Sequence, residues 1–105
     1  MLARSGYQEV FLEDLSLQDQ IGLTSNCECL VAPHGAGLSH LVWNPSRRKK
    51  VMEIFPSFVR NDTYASLSTT LGYDYGYVVC ENKQNEEEFV NLGCLERGMA
   101  ELGML

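Results

Sequence analysis

The sequence predicts an α/β fold in three layers, a mostly parallel sheet with helices on both faces. Short apolar runs of strand length alternate with stretches of helical spacing, and those stretches have the length of about ten to fifteen residues that crossover helices need. One of the runs is apolar but for a single residue rather than alternating, as in a strand covered on both sides. With 105 residues the chain suits one compact domain, and it carries no internal repeat, low-complexity tract or linker.

Residues 6–12 read as a short first strand. Ser16 follows as a helix cap, with Asp19 three residues on, where a carboxylate favours the start of a helix. That helix runs to about Asn26 and carries Leu17, Gln20, Ile21, Leu23 and Thr24 around one face. Residues 27–32 are the short apolar run, Glu28 aside, ended by Pro33. Residues 38–43 form a short helix stopped by Asn44 and Pro45. Residues 50–56 are the clearest strand, with Pro56 at an end where a missing amide hydrogen is tolerated. Residues 61–72 supply capping residues, apolar Tyr64, Leu67 and Leu71, and a glycine stop. Residues 75–80 are a further strand, and Glu86, Glu87 and Glu88 open a last helix that continues towards Leu102. The connections imply right-handed βαβ units, a Rossmann-like arrangement.

A hydrophobic fraction of 45% and a charged fraction of 21% are those of an ordinary globular chain, and no segment approaches the roughly 18 apolar residues of a membrane span. The first six residues lack the basic start and apolar core of a secretion signal, so the expected location is cytoplasmic. A net charge of −6 argues against binding to nucleic acid. Arg47, Arg48, Lys49 and Lys50 hold half of the eight basic residues, and they read as a solvated loop. Four irregularly spaced cysteines, Cys27, Cys29, Cys80 and Cys94, read as reduced and mostly buried thiols. Cys27 and Cys29 with His34 and His40 lack the paired elements of zinc signatures, so neither a metal nor a cofactor is expected. A metal site through Cys27, Cys29 and His34 is the outlying alternative.

The candidate site is the stretch Ala32-Pro33-His34-Gly35-Ala36-Gly37-Leu38. In open α/β sheets ligands bind beyond the carboxyl ends of strands, which is where this stretch falls. Gly35 and Gly37 are expected to take positive φ and to let a ligand approach the backbone, with the amides of Ala36 and Leu38 available to a phosphate. His34 stands at the mouth, placed to donate to a diphosphate or a sugar hydroxyl. The competing reading is a tight strand-to-helix turn, with His34 satisfying a local carbonyl. Glu53 lies inside an apolar strand, where an unpartnered carboxylate is costly. Either it accepts from ribose hydroxyls, or it pairs with a loop amide or with the basic cluster. Asn61, with Asp62 and Thr63, opens a helix at the same edge, lining the pocket or simply capping. His40 is expected to pack or to face solvent, and Trp43 to belong to the core.

These segments together resemble the C-terminal part of glycosyltransferase family 61. The likeness lies in residues 15–21, residues 29–39 with the His34-Gly35-Ala36-Gly37-Leu38 loop, residues 51–56, residues 64–68 and residues 71–75. It covers roughly residues 7–80 and does not extend past Glu81. The resemblance implies the donor-binding half of a two-domain GT-B fold, in which a nucleotide sugar, commonly a UDP sugar, meets the loop. It also implies inverting transfer without an essential metal, with His34 and the loop amides steadying the departing diphosphate, and Glu53 near the ribose. Members of the family have a preceding domain that holds the acceptor, and this chain is expected to be inactive without one. The partner is then an acceptor domain or a second copy of the chain. The alternative reading is a noncatalytic, self-associating module that keeps the fold alone.

Overall fold

The computed structural model describes residues 2–81 and 89–105. Three parallel strands form one sheet in the order β1 (Cys29–Pro33), β2 (Lys50–Phe55), β3 (Asp74–Val79). Helix α1 (Leu17–Asn26) precedes β1, a 3-10 helix (Ala36–Val42) leads from β1 to β2, α2 (Thr63–Leu71) leads from β2 to β3, and α3 (Leu92–Glu101) follows.

Alternation along the strands sorts the side chains into two layers. On one face Leu30, Ala32, Val51 and Tyr75 meet Leu38 and Leu41 of the 3-10 helix and Tyr64, Leu67 and Leu71 of α2. On the other, Val31, Met52 and Val78 meet Leu95, Met99 and Met104. Helices therefore cover both sides of the sheet, as the alternation of elements predicts.

Helix α1 starts where expected, because Ser16 Oγ accepts from the Asp19 amide at 3.1 Å. Helix α2 ends at Gly72, whose φ of 78° is the left-handed conformation that a glycine adopts without penalty. The segment after β1 is helical from Ala36 but winds as a 3-10 helix. Its three-residue turn stacks Leu38 directly over Leu41, and both are buried, at 2% and 1% exposure.

Four expectations are corrected. Residues 6–12 form no strand; the Tyr7 hydroxyl instead donates to the Met104 carbonyl at 2.8 Å and straps the segment across the methionine cluster. Strand β1 is half-buried rather than covered on both sides, because it lies at one edge of the sheet while β2 takes the buried centre. The last helix opens at Leu92, capped by Asn91 Oδ1 accepting from the Cys94 amide at 3.1 Å, while Phe89 bridges antiparallel to Glu81. Residues 86–88, where an earlier start was expected, lie outside the described residues. Finally, Cys27, Cys29 and Cys80 are half-buried and Cys94 is exposed, rather than mostly buried, and none of the four is in a disulfide.

The basic quartet is more structural than a solvated loop. Arg47 pairs with Glu28 at 3.2 Å, and Arg48 donates to the Gly72 carbonyl at 3.1 Å beside Asp74. Lys50 donates to the Leu102 carbonyl at 2.7 Å, where a cation complements the end of α3. Lys49 is only 1% exposed; its ammonium donates to the Arg47 carbonyl at 3.3 Å and lies 5.2 Å from the centre of the Tyr73 ring.

Burial pushes the Lys49 ammonium below the ordinary lysine value of 10.5; the neighbouring Cys27 opposes that shift and Arg47 adds to it. Lys49→Met is expected to fold normally and to gain about 1 kcal/mol at neutral pH, because it removes a buried charge that lacks a full set of partners. Between the lowered value and 10.5 the unfolded chain binds more protons, so the wild type gains stability as pH rises through that window. Urea melts of both proteins from neutral to alkaline pH should show the advantage of methionine shrinking.

Candidate functional site

The chemistry gathers at the carboxyl edge of the sheet. His34 continues β1 by one residue, its amide donating to the Ile54 carbonyl at 2.8 Å. Two-residue alternation puts its side chain on the same face as Ala32, and in register with Ala32 stands Glu53 of β2. The imidazole stacks on Phe55 with ring centres 5.2 Å apart, and Tyr64 of α2 tilts against it at 5.7 Å. The backbone ladder and two rings therefore hold His34 in place.

Glu53 is completely buried in the central strand. Its Oε2 lies 2.6 Å from His34 Nδ1, and its Oε1 accepts from the Tyr75 hydroxyl at 2.5 Å. Two donors on two oxygens satisfy an ionised carboxylate, which explains how a charge is tolerated at this depth. Neither a loop amide nor the basic cluster takes part. Burial first, then the hydrogen bond to Glu53 and that carboxylate's negative charge, hold the Tyr75 phenol well above the ordinary tyrosine range.

Asn61 completes the group from the loop before α2. Its Oδ1 accepts from the Thr63 amide at 3.2 Å, so its Nδ2 is the atom that faces His34 Nε2, at 3.4 Å. Tyr75 was not singled out in the sequence. The available signal was its position on the same strand face as Glu53, one step along the alternation from the Tyr77 that pairs with it.

The two loop glycines have different reasons to be glycine, and neither lies in the left-handed φ region, contrary to expectation. Gly35 is extended, with φ 162° and ψ 173°, and a Cβ there would meet nothing within 4 Å. A Cβ on Gly37 would come within 3.2 Å of Leu12 Cδ1. Packing explains Gly37, whereas Gly35 borders open space. Ala36 begins the 3-10 helix, and the Leu38 amide makes its first bond, to the Gly35 carbonyl at 3.1 Å, so, contrary to expectation, that amide is engaged within the helix. The Leu38 side chain belongs to the core, so only the backbone of that residue remains near the loop.

His40 and Trp43 serve elsewhere. The Trp43 indole N–H donates to His40 Nδ1 at 3.1 Å, so Nε2 carries the proton that is donated to Gln20 Oε1 at 3.0 Å. This clips the 3-10 helix to α1. Trp43 is 42% exposed rather than part of the core, its indole N–H taken up by this clip. Among the described residues no three His, Cys, Asp or Glu side chains gather to hold a metal ion, and no helix is long and apolar enough to cross a membrane. Two open hollows lie elsewhere, of about 490 Å³ along α1 and about 630 Å³ at the amino edge of the sheet, the second lined by the Arg47–Glu28 and Arg48–Asp74 pairs that fasten the strands.

Tyr75→Phe should keep the ring packing but leave Glu53 Oε1 without its donor, at a cost of about 1–3 kcal/mol. Because the fold holds the Tyr75 proton more tightly than the unfolded chain does, wild-type stability falls as pH rises past 10.0. The phenylalanine variant should lose that part of the fall in alkaline urea melts. Gly35→Ala is expected to change stability by less than about 0.5 kcal/mol, whereas Gly37→Ala should cost about 1 kcal/mol by displacing Leu12, a contrast that thermal melts resolve.

Comparison with known proteins bears on this edge. The family description "Glycosyltransferase 61" matches residues 1–52. The chain is 39% identical over 80 residues to the dog (Canis lupus familiaris) protein O-linked-mannose beta-1,4-N-acetylglucosaminyltransferase 2, covering 73% of this chain and 14% of that protein. The proteins of the same name from Mus musculus and Homo sapiens are 39% and 38% identical over the same shares. The chain thus spans 14% of the length of these relatives. No solved structure matches it. Residues 1–52, which take in β1, the His34 loop and the start of β2, thus match the glycosyltransferase 61 family, and 80 residues of the chain are similar to the named transferases.

Proposed function

We propose that the chain forms the donor side of a GT-B type glycosyltransferase and binds a UDP sugar with its diphosphate against residues 34–38. The observation that carries this reading is the orientation of His34. A buried carboxylate takes Nδ1, and the imidazole turns Nε2 towards the loop beyond the strand ends. Gly35, with open space where a side chain would stand, gives a phosphate close access to the backbone. The relatives' name specifies an N-acetylglucosaminyltransferase acting on protein O-linked mannose, so UDP-N-acetylglucosamine is the donor we assign.

In the proposed reaction the bond from the anomeric carbon to the diphosphate breaks while an acceptor hydroxyl attacks from the opposite face, which inverts the configuration. The hydroxyl proton goes to a base on an acceptor domain. Negative charge develops on the diphosphate, and the protonated His34 edge and the loop amides meet it, as preorganised donors do in other leaving-group sites. No metal enters this step. Because both Glu53 oxygens are engaged, we assign that residue to holding His34 rather than to a ribose contact. Asn61 lies beside the same edge.

Amide NMR titration with UDP, using AMP as the control, tests this reading. Saturable shifts are expected at Gly35, Ala36, Gly37, Leu38 and Asn61, and His34→Gln should weaken UDP binding roughly 10- to 100-fold, the loss of one charge-assisted hydrogen bond. A folded chain that shows no shifts at millimolar UDP would instead support the noncatalytic, self-associating module.

A further inference from the structure

Resting on the reading of His34 as the diphosphate contact, we infer that donor binding takes up one proton at His34 Nε2 and that Asn61 is the gate that must turn aside. The argument starts from the Asn61 amide. The Thr63 N–H donates to Asn61 Oδ1, which fixes the amide so that its Nδ2 donor faces His34 Nε2. On the other side of the ring, His34 Nδ1 lies 2.6 Å from a carboxylate oxygen that accepts. A donor on one side and an acceptor on the other define a single state of the ring: neutral, with the proton on Nδ1 and a lone pair on Nε2.

That state does not suit a diphosphate. A lone pair facing a phosphate oxygen repels it, so the ligand needs a proton on Nε2. In the resulting imidazolium Nδ1 still faces the buried Glu53 carboxylate, 2.6 Å away. Once Nε2 carries hydrogen, the Asn61 Nδ2 donor has nothing to donate to and must leave. Its contact is long, at 3.4 Å, and exposed, so it yields readily.

The surroundings of His34 supply no other proton. Glu53 faces it from β2, and among the described residues it is the one carboxylate within ion-pair distance. Tyr75 of β3 stands behind Glu53 and keeps its own proton, and Tyr64 of α2 presents a ring face. Arg60 and Asp62 flank Asn61 along the loop. The proton therefore comes from solvent, and donor affinity falls as pH rises.

Two measurements on the full chain test the inference. The first is the imidazole nitrogen spectrum of the free protein at about pH 8, above the ordinary histidine range, with His34→Gln assigning the two histidines. A His34 signal with hydrogen on Nδ1 is expected; hydrogen on Nε2 overturns the gate. The second is calorimetric titration with UDP-N-acetylglucosamine at the same pH in two buffers of different ionisation enthalpy. This ligand's diphosphate exchanges no proton there, so uptake approaching one proton per ligand is expected, and binding without buffer dependence overturns the coupling. Asn61→Ala should bind a few-fold more tightly with the same proton uptake, the gain from removing a weak competing hydrogen bond. A loss of tenfold or more would make Asn61 a direct ligand contact and overturn its role as gate. If the ligand does not bind while the Nδ1–H form is seen, the donor reading has failed; if it binds but the Nε2–H form is seen, the gate has failed.

Discussion

A carboxylate buried in the middle strand is the constraint around which this molecule is arranged. Glu53 has no access to water, and a lone ionised carboxyl at that depth would cost more than a small domain's net stability allows. Its two donors come from different neighbours, His34 past the end of β1 and Tyr75 within β3. The charge in β2 thus ties all three strands together at one edge. The residue that recommends the site chemically is also the one that the sheet must satisfy in order to exist.

The opposite edge solves a similar problem with the opposite sign. Lys49 enters the fold just before β2 and has the Arg47 carbonyl and a tyrosine ring for company. Around it, Arg47, Arg48 and Lys50 fasten β1, β3 and the end of α3 to the start of the central strand. A run of four basic residues that reads as a solvated loop in the sequence is absorbed by the domain's own joints.

Much of the fold was readable because its signals are local. Ser16 and Asp19 mark the start of α1 within four residues, and Gly72 marks the end of α2 by itself. What escaped depends on residues distant in sequence. Whether β1 is central or at an edge follows from strand order, which no property of residues 29–33 encodes. Gly35 and Gly37 look alike in the sequence, and only the arrival of Leu12 separates the packed glycine from the open one. His34, Glu53 and Asn61 could each be suspected singly from residue type and position. Their convergence, and the part of Tyr75 in it, required the register between strands.

The all-parallel sheet has a kinetic corollary. With no hairpin in it, β2 can pair with β1 only after the chain between Pro33 and Lys50 has closed, and with β3 only after the stretch from Phe55 to Asp74 has closed. Such non-local pairing is slow, and until both crossovers are in place Glu53 gains at most one of its donors. Folding and site assembly therefore finish in the same event. A partly folded chain carries no weakened version of the site, so ligand recognition would act as an all-or-none report that the sheet is complete.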